Sequence, residues 1–272
     1  MTDAPQQAPS PAAKPGAAPQ QPIVEMTNVH LAFDAKVILK SLTLSVAPRE
    51  RLVIMGQSGG GKSTTLRLIL GILKPSSGSV KFKGEEVNRM SRPRLNRMRR
   101  RIGMVYQYSA LISSLSVRDN LALPLEELTN KSQKEIDEIV QEKLSLVGME
   151  DTLKYMPSEL SGGMKKRIGL ARALVLEPEL ILFDEPSAGL DPVVSSVIDE
   201  LIIALTEKTN ATSIIVTHEM DSAFRVATRM AMLYQGKIIE EDRPERFRHS
   251  RDAVVSQFVE GRTDGPISTT QT

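Results

Sequence analysis

The chain has 272 residues, long enough for one large domain, or a core with a smaller subdomain, that is stable without staples. It contains no Cys, which excludes disulfides and thiolate metal sites. With 35 Lys and Arg against 33 Asp and Glu, no Trp and 4% aromatics, it has neither the charge excess nor the stacking residues of a nucleic-acid binder, and no such partner is expected.

Residues 1–22 hold six Pro, six Ala and four Gln, and no Ile, Leu, Val or aromatic. Such a stretch cannot bury enough apolar area to offset its ordering entropy, and is predicted to be a disordered tail. The N-terminus carries Asp3 and no apolar segment, unlike a secretory leader. No apolar run approaches the roughly 18 residues that cross a bilayer. The chain is expected to be soluble and to meet a membrane only through a partner or a surface contact.

From Ile23 the composition changes. Residues 23–26 and 42–46 are β-branched and apolar near period two and predict strands. Residues 52–55, Leu-Val-Ile-Met, form a continuous apolar run, as in a strand buried on both faces. Directly after it, Gly56-Gln57-Ser58-Gly59-Gly60-Gly61-Lys62-Ser63 matches G-x-x-x-x-G-K-[ST], with a helix predicted over 64–73. The glycines let backbone N–H groups close round a phosphate, and the helix turns its positive end to the anion. Lys62 brings a mobile charge for the β- and γ-phosphates, and the Ser63 hydroxyl suits Mg²⁺. Gly56, Ser58, Gly59, Gly60, Gly61, Lys62, Ser63 and Thr64 are the candidate ATP-binding residues.

Residues 89–101 contain seven Arg. A solvated helical face accounts for them most simply; an acidic membrane surface or partner is the alternative. Residues 108–160 read as mostly helical, an inserted subdomain. Within them a helix is expected over 132–147, opened by the capping box Ser132/Glu135 and followed by Gly148. Leu160-Ser161-Gly162-Gly163-Met164 opens an amphipathic helix carrying Ile168, Ala171, Leu174 and Val175 and ending before Pro178. Alone, this Ser-Gly-Gly is a helix N-cap with flexible glycines.

The run 180–183 is an apolar strand ending in Asp184-Glu185. Beside a phosphate loop, Asp184 sits where a Mg²⁺-coordinating Asp belongs, and Glu185 is placed to orient and deprotonate a water. A helix follows from Val194, then a buried strand over 213–216. His218, at that strand's end, is either structural or a donor to the γ-phosphate. Buried strands alternating with helices predict an α/β fold with a mainly parallel sheet. No internal repeat is visible, which argues against two such units in one chain.

The ordered set of phosphate loop, Gln107, Leu160–Met164, Asp184-Glu185, Ser187-Ala188-Gly189-Leu190-Asp191 and His218 resembles the ABC ATPases over residues 23 to about 256. The resemblance implies a RecA-like P-loop NTPase core with an antiparallel β subdomain and an inserted α-helical signature subdomain at about 108–162. It divides the chain into a tail (1–22), an ATPase domain (23–256) and a C-terminal extension (257–272). It further implies ATP and Mg²⁺ as cofactors and a homodimer that sandwiches ATP. There Ser161, Gly162 and Gly163 of one copy meet the nucleotide on the other's Lys62. Phe33 would stack on adenine, Asp191 would align the two copies, and Gln107 would sense the γ-phosphate and Mg²⁺. The metal set is then Ser63, Gln107 and Asp184, and the catalytic set Glu185, His218 and Gln107.

Met164, residues 106–120 and the segment 257–267 are similar to those of Mla-type (MlaF-like) ATPases. That likeness implies lipid transport through a separate membrane permease with an MCE-type lipid-binding partner. The chain would lie on the cytoplasmic face of the bacterial inner membrane, its C-terminal tail reaching a neighbouring subunit. A small-solute importer, a non-transport ABC ATPase and a nucleic-acid-linked ATPase are the competing readings.

Overall fold

The computed structural model describes residues 21–34 and 36–267, so the tail predicted over 1–22 lies almost wholly outside the described residues. The first strands, β1 (Val24–Phe33) and β2 (Lys36–Val46), form an antiparallel pair. β3 (Arg51–Met55) enters the glycine loop, and α1 (Lys62–Ile69) leaves it. β4 (Ser77–Phe82) and β5 (Glu85–Glu86) complete a four-stranded antiparallel sheet, ordered β2-β1-β4-β5. α2 (Arg92–Arg99), β6 (Ile102–Val105), α3 (Val117–Leu128), α4 (Gln133–Ser145) and α5 (Gly162–Leu174) follow. The chain continues through β7 (Leu180–Asp184), α6 (Pro192–Thr209), β8 (Thr212–Thr217) and α7 (Met220–Val226). It closes with β9 (Arg229–Tyr234), β10 (Lys237–Asp242), α8 (Pro244–Phe247) and α9 (Ala253–Glu260).

The second sheet is ordered β10-β9-β3-β8-β7-β6 and is parallel except for β10. Side chains alternate across a strand, so each face of this sheet feeds a separate core. Val53, Met55, Ile181, Phe183 and Ile215 pack towards the helical core, which holds α3, α4 and α5 residues. Leu52, Ile54, Leu180, Leu182, Ile214 and Val216 pack towards the antiparallel sheet. This two-sided burial explains the unbroken apolar runs in the sequence.

The α/β class is present, with an antiparallel sheet, a mainly parallel sheet and a group of helices, and with local differences from the expected elements. The helix predicted over 64–73 starts at Lys62, and Gly71 (φ +64°) turns the chain just beyond its end. The capping box on α4 forms as expected, and Gly148 takes φ +64°. Residues 108–116 are not helical; Ser109 and Ala110 hold left-handed backbone there (φ +60° and +48°). The expected boundary at 256 falls inside α9, so residues 257–260 belong to a helix. Residues 261–267 then fold onto their own chain: the buried Gln257 accepts from Ile267 N at 2.7 Å, and Ile267 is itself buried. Residues 268–272, the end of the tail expected to reach a neighbouring subunit, lie outside the described residues.

The arginine-rich segment is only partly a solvated face. Arg99 caps the end of α1 through Leu70 O and Gly71 O, and Arg100 bonds Leu128 O. Arg89 pairs with Glu86 and Arg101 with Glu179, while Arg92, Arg94 and Arg97 are exposed.

Candidate active site

The register of the parallel strands fixes the site. Met55 pairs with Thr217, Asp184 with Val216, and Val105 with Phe183. The loops that start at Gly56, Tyr106, Glu185 and His218 therefore leave the sheet side by side at its carboxyl edge, where open α/β sheets bind ligands.

The glycine loop needs its glycines. Gly56 has φ +150°, and a Cβ there would lie 2.2 Å from Leu233 O. Gly61 has φ +102°, and its Cβ would meet Leu39 at 3.0 Å and Ile38 at 3.3 Å, so β2 runs against the loop. Phe33, which pairs with Lys36 where β1 meets β2, is 47% exposed. Its open ring on the hairpin beside the loop suits stacking on a planar base.

Lys62 is buried, and its Nζ donates to Gly56 O at 2.8 Å and Gln57 O at 3.2 Å, with Glu185 Oε1 at 3.6 Å. Burial pulls its amine below the usual lysine value, opposed by the charges of Glu185 and Asp184. Ser63 Oγ donates to Asp184 Oδ1 at 2.7 Å. A hydroxyl and a carboxylate oxygen so converged are hard donors of the kind Mg²⁺ takes when phosphates and waters fill its remaining positions. Glu185 holds left-handed backbone (φ +50°), and its N–H is tied to Val216 O at 2.9 Å. Its Oε2 lies 3.0 Å from His218 Nδ1 and accepts from His218 N at 3.3 Å. With Nδ1 on the carboxylate, Nε2 is the ring nitrogen that Glu185 does not engage.

Lys62, Ser63, Asp184, Glu185 and His218 are thus brought together. Ser161, Gly162, Gly163 and Asp191 are not part of that group. They line a cleft of about 390 Å³ with Arg167 and Val194, and none of its lining residues comes from 56–63. Ser161 caps α5 by accepting from Met164 N at 3.3 Å, which leaves its hydroxyl proton to donate elsewhere. A Cβ on Gly163 would come within 2.8 Å of Val194, so the helix start is pressed close to α6. Asp191 caps α6, its Oδ1 accepting from Val193 N and Val194 N, both at 3.0 Å.

Gln107 joins the site through its backbone. The buried Lys166, which the sequence analysis did not single out, donates to Gln107 O at 2.5 Å and to Glu185 O at 3.3 Å. The available signal was Gly169, a glycine in a helix interior, which marks a close approach. Ser109 packs there, 3.3 Å from where a Cβ would sit.

A phosphate cradle, a hydroxyl–carboxylate pair and a second carboxylate, set at the carboxyl edge of parallel strands, define a P-loop ATPase. Comparison with known proteins narrows this class. The ABC transporter family model matches residues 39–188, and the chain belongs to that family. It is 40% identical to the intermembrane phospholipid transport system ATP-binding protein MlaF of Haemophilus influenzae, over 91% of this chain and 94% of that one. It is also 40% identical to the probable ribonucleotide transport ATP-binding protein mkl of Mycobacterium leprae, over 93% and 73% of the two chains. Among solved structures it resembles the dimeric post-hydrolysis ATP-binding cassette MJ0796 bound to ADP and Pi, with TM-score 0.74 and 32% identity over 81% of this chain and 98% of that one. The chain is the ATP-hydrolysing subunit of a transporter.

Proposed function

We propose that the chain powers phospholipid transport as a homodimer, bound to a membrane permease and, through it, to an MCE-type lipid-binding protein. It would sit at the cytoplasmic face of the bacterial inner membrane. The likeness to MlaF over nearly the whole of both chains carries the substrate reading. No helix among the described residues is long and apolar enough to cross a membrane, which is consistent with a separate permease. Tyr108, 86% exposed beside Gln107, and the exposed Tyr106 offer that permease an amphipathic surface.

In this reading the amides of residues 56–63 and the amine of Lys62 hold the ATP phosphates, Thr64 extends that cradle, and Phe33 stacks on adenine. Ser63, Asp184 and the Gln107 side chain would hold Mg²⁺, which neutralises phosphate charge when bound. Glu185 orients and deprotonates the attacking water, with Lys62 and His218 fixing its two oxygens. Ser161 and Gly163 donate to the γ-phosphate on the other copy. The separation of their cleft from the chain's own glycine loop supports this division between copies.

The test is Glu185→Gln in the full-length chain, which keeps the shape and removes the base. Hydrolysis should fall by about 10²–10⁴-fold with ATP still bound; a variant that hydrolyses normally overturns the assignment. Isolation of the native complex tests the substrate. An MCE-domain protein and bound phospholipid are expected. A soluble solute-binding protein in their place would favour the second reading, small-solute transport, which rests on the likeness to mkl.

A further inference from the structure

Three non-glycine residues around the site hold left-handed backbone: Ser109 (φ +60°), Ala110 (φ +48°) and Glu185 (φ +50°). L-residues adopt this conformation against a steric penalty, so surrounding contacts must hold it. In all three the carbonyl accepts from a basic side chain of α5. Arg172 donates to Ser109 O at 2.9 Å and to Ala110 O at 2.7 Å. Lys166 donates to Glu185 O and, with the same amine, to Gln107 O. Lys166, Gly169 and Arg172 are spaced by three and lie on one face of the helix. Gly169, between the two cations, lets Ser109 press against the helix.

Neutral carbonyls are modest partners for buried cations. Burial pulls the Lys166 amine below its usual value, opposed by Glu219 and Glu185, and it depresses the Arg172 guanidinium as well.

We propose that Lys166 is a positioning residue for hydrolysis, its amine tying the Gln107 loop to the backbone of Glu185. The inference rests on the roles given to Glu185 and Gln107 above. It gives α5 two connected ends. Ser161 at its start faces a cleft offered to the other copy, and Lys166, just over one turn on, holds the main-chain carbonyl of Glu185 in its own chain. A shift of α5 on closure against a partner's nucleotide would then reach Glu185 through one amine.

The experiment compares steady-state hydrolysis, nucleotide binding and melting temperature in the full-length chain and its Lys166→Met and Lys166→Arg variants. Lys166→Met should lower kcat about tenfold or more and leave nucleotide affinity within about threefold, because the glycine loop is untouched. Lys166→Arg keeps two donors and a charge and should restore most of the activity. A kcat within about twofold of wild type in Lys166→Met overturns the proposal, as does a Lys166→Arg variant no more active than Lys166→Met. If Lys166→Met does not fold, Lys166→Leu, which likewise removes the donor, is read by the same criteria. Glu185→Gln is measured in parallel. If it is active, the catalytic reading fails; if it is dead while Lys166→Met is normal, only the present proposal fails.

Discussion

Gly56 shows how much of the site is decided by single backbone positions. Its φ of +150° disfavours any side chain, and a Cβ would meet a main-chain oxygen, Leu233 O, that cannot rotate away. Gly56→Ala should therefore cost about 3 kcal/mol or more, seen as a drop of roughly 6–12 °C in thermal unfolding. Gly59, at φ +74° with nothing within 4 Å of its Cβ position, is the control. Gly59→Ala carries only the left-handed penalty of about 1–2 kcal/mol. Equal losses in the two would refute the role of the Leu233 contact. The need for these glycines was legible because the motif is local: one stretch of chain makes the whole cradle. Lys166 and Arg172 were not legible. Their partners are carbonyls on loops about 60 residues away, and carbonyls leave no trace in a sequence. His218 was legible as a strand-end residue, yet its pairing with Glu185 depends on β7 and β8 being neighbours.

At the scale of elements, the strands buried on both faces announced themselves, and the half-buried or short ones did not. β1 was expected over 23–26 but runs to Phe33, because Asn28 (φ +48°) and a register shift interrupt its alternation. β6 has four residues including Gly103, too short for a period to show. α6 was placed correctly by its apolar spacing, but its start depends on Asp191, which the family likeness had assigned only to the contact between copies. The structure adds a cap. The two duties are separable by substitution. Asparagine caps as well as aspartate, so Asp191→Asn should hold stability to within a few tenths of a kcal/mol. Asp191→Ala should cost about 1 kcal/mol, or roughly 2–4 °C. If the carboxylate also aligns two copies, ATP-dependent pairing weakens in both variants. A pairing defect confined to the alanine variant would show that the cap alone matters.

For the whole molecule, the decisive arrangement is that the glycine loop and the Ser161 cleft share no lining residue within one chain. In the proposed reading a complete site takes two copies related by a twofold axis, each lending its cleft to the other's loop. Mixing defective chains distinguishes this from a site contained in one chain. Take Lys62→Ala as one variant and Ser161→Arg as the other, each inactive alone. Random pairing of equal amounts gives half mixed dimers. In a mixed dimer one site collects both defects, and the second has an intact Lys62 from one copy and an intact Ser161 from its mate. About one quarter of the wild-type number of sites should therefore be whole, and hydrolysis should recover towards that fraction on mixing. Were each site built within a single chain, every chain in the mixture would carry its own defect and no activity would return. Recovery should also rise with protein concentration and with ATP, since pairing is what creates the site.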